Sequence, residues 1–176
     1  RRKRKFLLSF SPSAVIIYPV TFANPMLLGI YLLYMDEHTE NQAPIDHALA
    51  GIKVLIAEDD PLLAGMLGKR LTTAGGTLYH EADGARILEI VREQHPDIVV
   101  LDIMLPGMNG YDVLKTIKAD DATKDIPVLL LSNLGQEEDI QKSRELGAAD
   151  FMIKATVSLD EVVEKIIQVL FQAKTK

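Results

Sequence analysis

The run Ile98-Val99-Val100-Leu101-Asp102 holds four aliphatic residues, three of them β-branched, and stops on a carboxylate. An unbroken apolar run of that length fits a strand buried on both faces, as in a parallel sheet covered by helices. Three more runs end on a polar side chain. Lys53–Ala57 is followed by Glu58, Asp59 and Asp60, residues 127–131 by Ser132, and residues 151–153 by Lys154. A less apolar stretch, Thr77–Glu81, reads as an edge strand. Between the runs, apolar residues recur at helical spacing over 61–74, 85–94, Gly110–Ala119, 137–146 and 159–171. In the last, Leu159, Val162, Val163, Ile166, Ile167 and Leu170 share one face behind a Ser158 cap. The fourth offers little more than Ile140 and Leu146 to a core, and a helix that buries little is free to move. Five β/α units with right-handed crossovers predict an α/β fold, a doubly wound five-stranded parallel sheet. No fixed-period repeat interrupts the pattern.

In such a sheet the functional crevice lies at the carboxyl ends of the strands. There the sequence places Glu58, Asp59 and Asp60 after the first strand and Asp102 after the third. Clustered carboxylates repel one another unless a cation joins them. Hard oxygen ligands with open positions suit Mg²⁺, which keeps waters and recruits phosphate oxygens. Ser132 adds a hydroxyl donor and Lys154 a positive charge. An oxygen nucleophile, a metal, a donor and a cation are the parts of a phosphoryl-transfer site. Taken singly, each residue has a plainer role. Asp60, before Pro61, is expected to cap a helix, and Asp83, before Gly84, a turn. Ser132 alone would be a cap and Lys154 alone a solvated charge; the joint placement at successive strand ends argues for chemistry.

Composition excludes several classes. Among 176 residues, 48% are hydrophobic and 25% charged, which suits a globular protein with room for one ordinary domain and an appendage. A net charge of −6 provides no broad basic face, so direct nucleic-acid binding is not expected. Without cysteine there is no disulfide, thiolate nucleophile or Cys-ligated zinc. His38, His47, His80 and His95 lack metal-ligand spacing and read as solvated or loop residues.

The beginning of the chain differs from the rest. Arg1-Arg2-Lys3-Arg4-Lys5 precedes a mainly apolar stretch from Phe6 to Tyr34. That is long enough for a spanning helix with its basic flank in the cytoplasm, which takes about 20 apolar residues. Pro12, Pro19 and Pro25 oppose it, and one span with an inside N-terminus would carry the rest of the chain outside, away from a phosphoryl donor. Residues 1–34 are therefore a membrane segment, an extension upstream of a start at Met35, where a polar leader begins, or the remnant of a truncated larger protein. Residues 35–51 read as a polar linker, and a cytoplasmic location is expected for the α/β domain beyond it.

The segments 53–61, 99–111, 126–132 and 147–154, in that order, resemble the receiver domain of bacterial two-component response regulators. They read Lys-Val-Leu-Ile-Ala-Glu-Asp-Asp-Pro, Val-Val-Leu-Asp-Ile-Met-Leu-Pro-Gly-Met-Asn-Gly-Tyr, Ile-Pro-Val-Leu-Leu-Leu-Ser and Gly-Ala-Ala-Asp-Phe-Met-Ile-Lys. The resemblance implies a flavodoxin-like (βα)5 receiver domain over 52–176, a signalling module and not an enzyme in its own right. It implies that Asp102 accepts a phosphoryl group from the phosphohistidine of a histidine kinase or phosphotransfer protein. It implies Mg²⁺ held by Asp59, Asp102 and the Met104 backbone carbonyl, with Glu58 acting through a water. Ser132 and Lys154 would hold phosphoryl oxygens, and Phe151 would be the aromatic that turns inward when Ser132 is drawn to the phosphate. A downstream protein partner would bind the face made by the fourth and fifth helices and the last strand.

Two departures stand out. The family usually has proline after the lysine, joined by a cis bond, whereas Ala155 follows Lys154; a cis bond before a residue other than proline costs roughly 3–4 kcal/mol, so a trans bond is expected. Met104 and Leu134, two residues beyond Asp102 and Ser132, are apolar at positions that set the family's dephosphorylation rate. They cannot orient an attacking water, and slow loss of phosphate is the expected result. Competing functions are a receiver at the end of a hybrid sensor kinase and an interaction domain independent of phosphate. An aspartate-nucleophile hydrolase fits poorly, because it needs a second Asp where Met104 stands.

Overall fold

The computed structural model describes residues 47–175. The apolar stretch 1–34 and residues 35–46 of the expected linker lie outside the described residues. The strands are β1 (Lys53–Ala57), β2 (Thr77–Glu81), β3 (Ile98–Leu101), β4 (Val128–Ser132) and β5 (Asp150–Ile153). The helices are α1 (Pro61–Thr73), α2 (Ile87–Gln94), α3 (Gly110–Ala119), α4 (Glu137–Glu145) and α5 (Leu159–Lys174). All strand pairs are parallel, in the order β2-β1-β3-β4-β5, so β2 is an edge strand as its composition predicts. This is the five-stranded parallel flavodoxin-like (βα)5 architecture. Among the described residues no helix is long and apolar enough to cross a membrane.

Strand periodicity divides the core in two. Val54, Ile56, Val100, Leu129, Leu131 and Met152 point to one face and meet Leu67 and Leu71 of α1 and Val162, Val163 and Ile166 of α5. Leu55, Ala57, Val99, Leu101, Val128 and Leu130 point to the other, against Ile87 and Val91 of α2 and Val113, Leu114 and Ile117 of α3. With nearly all of these excluded from water, each contributes on the order of 1.5–3 kcal/mol.

Local signals set the helix starts. Asp60 Oδ1 accepts from Leu62 N at 2.8 Å and Pro61 occupies the first turn, so Asp60 is the expected cap. Ser158 and Glu161 form a reciprocal capping box on α5, with Ser158 N donating to Glu161 Oε2 at 2.6 Å. Asp83 likewise caps a turn, accepting from Ala85 N at 2.9 Å. Helix α4 owes its order to local terms. Glu137, Glu138 and Asp139 occupy its first turn and Lys142 and Arg144 its last, complementing the helix dipole, while Ser143 is its one buried residue.

Several expectations need adjusting. The second helix does not begin at Ala85: a 3₁₀ turn over Gly84–Arg86 comes first, because Gly84 is pressed against the Met108 carbonyl, 1.9 Å from where a Cβ would stand. Ser132 is the last residue of β4 and not the residue after it, being paired in register with Ile153. Helix α5 runs to Lys174, since its apolar face continues through Val169 and Leu170. His80 is exposed, as expected of a solvated histidine, and lies in β2 with its Nε2 2.8 Å from the Glu58 carbonyl oxygen. The stretch expected as linker ends in a turn, where Leu49 is buried and its amide donates to Ala74 O at 2.7 Å.

Candidate functional site

Parallel register brings the chemistry together. Ala57 pairs with Leu101, so the next residues along, Glu58 and Asp102, leave the sheet side by side. Asp102 N donates to Ala57 O at 2.9 Å, carrying the ladder one step beyond the strand and holding the Asp102 backbone in place. Ser132 pairs with Ile153, so Lys154 emerges next to the end of β4. Glu58 and Asp102 are only 3% and 5% exposed, which puts two carboxylates where ionisation needs a partner.

Lys154 is that partner. Its Nζ stands 2.6 Å from Glu58 Oε2 and 2.7 Å from Asp102 Oδ2. The Lys154–Ala155 peptide is trans, as expected, since no cis peptide bond occurs among the described residues. Burial pushes the Glu58 carboxyl above its ordinary value, against the hydrogen bond and charge of Lys154. For Lys154 burial alone would lower the pKa, but the hydrogen bonds and charges of Asp102 and Glu58 outweigh it and the net shift is upward. The ammonium is therefore held charged in this pocket.

The chemistry of the donor set suits a hard divalent cation. Glu58, Asp59 and Asp102 can each present a carboxylate oxygen, all within 4.8 Å of one another, with Asp59 exposed on the solvent side. No nitrogen or sulfur ligand joins them, a set that fits Mg²⁺ better than zinc or copper. Met104 lies directly beyond, its backbone N donating to Asp102 Oδ1 at 3.2 Å and its side chain 61% exposed. Ser132 Oγ is buried and has no hydrogen-bond partner among the described residues. Buried hydroxyls are seldom left so, and one at the end of β4 is available to a ligand oxygen. Phe151, in register with Leu130, is half-buried against the α3 side of the core.

Glycines keep the loop after Asp102 close to the sheet. A Cβ on Gly110 would fall 2.1 Å from the Asp102 carbonyl oxygen. Gly107, at φ +73°, turns the chain where a Cβ would meet Asp83 Oδ1. Asn109 then caps α3, accepting from Tyr111 N at 2.9 Å.

All the residues singled out from the sequence thus lie at one edge of the sheet or, for Phe151, on the adjoining strand. Sequence reasoning passes over Tyr111 as the last letter of a motif. Its hydroxyl donates to Asp139 Oδ1 at 3.0 Å and the Lys142 ammonium stands 3.9 Å from its ring centroid. No spacing rule links position 111 to positions 139 and 142, so no local signal could have found the contact.

The family model described as the response regulator receiver domain matches residues 54–167. Among curated proteins, the DNA-binding response regulator MtrA of Mycolicibacterium smegmatis is 39% identical over 102 residues, covering 58% of this chain and 43% of that protein. The chain thus spans less than half the length of such relatives. A putative response regulator from Chloroflexus aurantiacus has a crystal structure with TM-score 0.64 and 30% identity, over 68% of this chain and 97% of that one. The signal receiver domain of a signal transduction histidine kinase from Syntrophus aciditrophicus gives TM-score 0.65 and 28% identity, over 72% and 95%. With its acidic cluster of Glu58, Asp59 and Asp102 at the strand ends, this chain belongs to the response regulator receiver domain family of two-component systems.

Proposed function

We propose that the chain is a phospho-acceptor signalling switch in which Asp102 takes a phosphoryl group from the phosphohistidine of a histidine kinase or phosphotransfer protein. One observation carries this: a buried carboxylate lies within reach of a fixed ammonium and two further carboxylates, at a strand edge that also holds a buried hydroxyl with no partner. In the transfer an Asp102 Oδ attacks phosphorus while the P–N bond to imidazole breaks. The electron pair leaves with the ring nitrogen, which takes up a proton, and Asp102 is left as an acyl phosphate. Lys154, already beside Oδ2, neutralises the phosphoryl oxygens, and Ser132 Oγ donates its proton to one of them. Glu58 (through a water), Asp59, Asp102 and the Met104 backbone carbonyl would hold Mg²⁺, which supplies positive charge against the transferred group. Drawing Ser132 toward the phosphate leaves room for Phe151 to turn inward, which alters the face of α4, β5 and α5. A net charge of −6 favours a protein over nucleic acid as the downstream partner of that face.

The test is incubation of the full chain with acetyl phosphate or phosphoramidate and Mg²⁺, followed by intact mass. A gain of one phosphoryl group in the parent but not in Asp102→Ala supports the acceptor. No gain in either leaves a phosphate-independent interaction domain as the better description. The likeness to a histidine-kinase receiver favours a second assignment, the receiver part of a hybrid sensor kinase. Detection of the native protein at a size that includes a kinase core would establish that one.

A further inference from the structure

Helix α4 is poorly anchored by packing, with Ser143 as its buried residue and Ile140 only half-buried, yet it carries a clamp on one aromatic side chain. Asp139 and Lys142, three residues apart and so on one helix face, both engage Tyr111 of α3. The Tyr111 hydroxyl donates to Asp139 Oδ1 at 3.0 Å, and the Lys142 ammonium covers the ring at 3.9 Å. Tyr111 itself is 8% exposed, so the clamp closes on a side chain already fixed in the core. Asp139 also accepts from Gln136 N at 3.3 Å, which puts the Asp139 arm of the clamp on the first turn of α4, with Lys142 in its last.

The same ring lines a cleft of about 550 Å³ between α3 and α4. Ile103, the residue after Asp102, and Leu134, two residues after Ser132, line it as well. Residues neighbouring the acceptor and the buried hydroxyl therefore share a wall with the clamp, and a shift of either loop reaches Tyr111 through direct packing.

We propose that Tyr111 is a latch: gripped by Asp139 and Lys142, it holds α4 in the unphosphorylated position and links that helix to the acceptor loop. The link to phosphorylation rests on the function proposed above, whereas the latch itself does not. A hydrogen bond to a charged group in a helix with few other anchors dominates how often its first turns open.

The test is amide hydrogen exchange on the full chain without ligand, comparing parent, Tyr111→Phe and Lys142→Met. Tyr111→Phe keeps the buried ring and loses the hydroxyl. It should speed exchange over 137–146 about tenfold or more, with β1, β3 and α5 unchanged. Lys142→Met keeps an apolar stem and loses the cation; its acceleration should be smaller, about two- to fivefold. Exchange over α4 equal to the parent's in both variants would overturn the latch. Should Tyr111→Phe fail to give native circular dichroism, Lys142→Met, altering an exposed side chain, decides alone. Adding Mg²⁺ and beryllium fluoride tests the link separately. The parent's α4 protection should change with this phosphoryl mimic, and Tyr111→Phe should lose at least half of that change. If Tyr111→Phe speeds exchange without ligand but the parent ignores beryllium fluoride, the latch stands and the phospho-switch falls.

Discussion

Replacing Lys154 by Met removes the one ammonium among the described residues that touches both Glu58 and Asp102, at 2.6 Å and 2.7 Å. The two carboxylates are almost wholly excluded from water, so the change leaves buried charge uncompensated instead of trading one surface contact for solvent. Breaking a buried pair from one side costs about 3–5 kcal/mol, which for a domain of this size lowers Tm by about 10–20 °C. The loss should depend on pH. The Lys154 pKa is raised from 10.5, so in the parent its contribution is whole below 10.5 and disappears only as pH climbs through the higher folded value. Between pH 5 and 8 it is constant. Glu58, raised from 4.5 chiefly by burial, weighs against the folded state as pH rises through its folded value. In Lys154→Met the hydrogen bond and charge of Lys154 that lower the Glu58 pKa are gone, leaving only the weaker Asp60 amide bond against burial and the Asp102 charge, so that value climbs further. The variant's deficit should therefore be larger at pH 8 than at pH 5, because a Glu58 carboxyl raised further by loss of Lys154 weighs more against the folded state as pH climbs. Urea denaturation followed by circular dichroism at both pH values measures it. Mg²⁺ at a hundred times its dissociation constant should restore about 2.7 kcal/mol to either protein. A deficit under about 1 kcal/mol at pH 8, or one equal at both pH values, would refute the electrostatic account of the pocket.

Gly110→Ala should lower stability by about 3 kcal/mol in the same denaturation assay, since its methyl would stand 2.1 Å from the Asp102 carbonyl oxygen, a backbone atom that cannot swing aside; an unchanged midpoint would contradict the close approach. Ser132→Ala removes a hydroxyl that has no partner, so it should change stability by less than about 1 kcal/mol while abolishing the response of α4 exchange to phosphorylation. A loss above about 2 kcal/mol would mean that the hydroxyl is already bonded. Met104→Asn combined with Leu134→Glu should shorten the aspartyl-phosphate half-life about tenfold or more by giving water a polar guide, read from the decay of the phosphorylated mass. A half-life at or above the parent's would sink the account of apolar shielding.

Much of the fold was legible because its signals are local. Ile98–Leu101 has no polar alternation and so must be covered on both faces, Asp60 and Ser158 are caps within three residues of the amides they serve, and the face of α5 repeats at helical spacing. The candidate site was legible for a related reason: each of its residues ends an apolar run, and parallel strands end on the same edge. Other features were not legible. The break before α2 arises from Gly84 meeting Met108, residues from two different loops. Leu49 joined the core from a stretch whose composition reads as linker, because a single buried leucine has no period.

The sequence by itself determined which segments are strands, which helix is poor in apolar residues, and which carboxylate stops the third strand, since each depends on neighbours within a turn or two. Only the tertiary structure decided that one ammonium serves both Glu58 and Asp102, the latter 52 residues away in sequence. It likewise decided that Ser132 lacks a partner and that Tyr111 is gripped from α4. Such contacts depend on strand register and on how helices lie across a sheet, and those are settled by packing the whole core, not by any window of the chain.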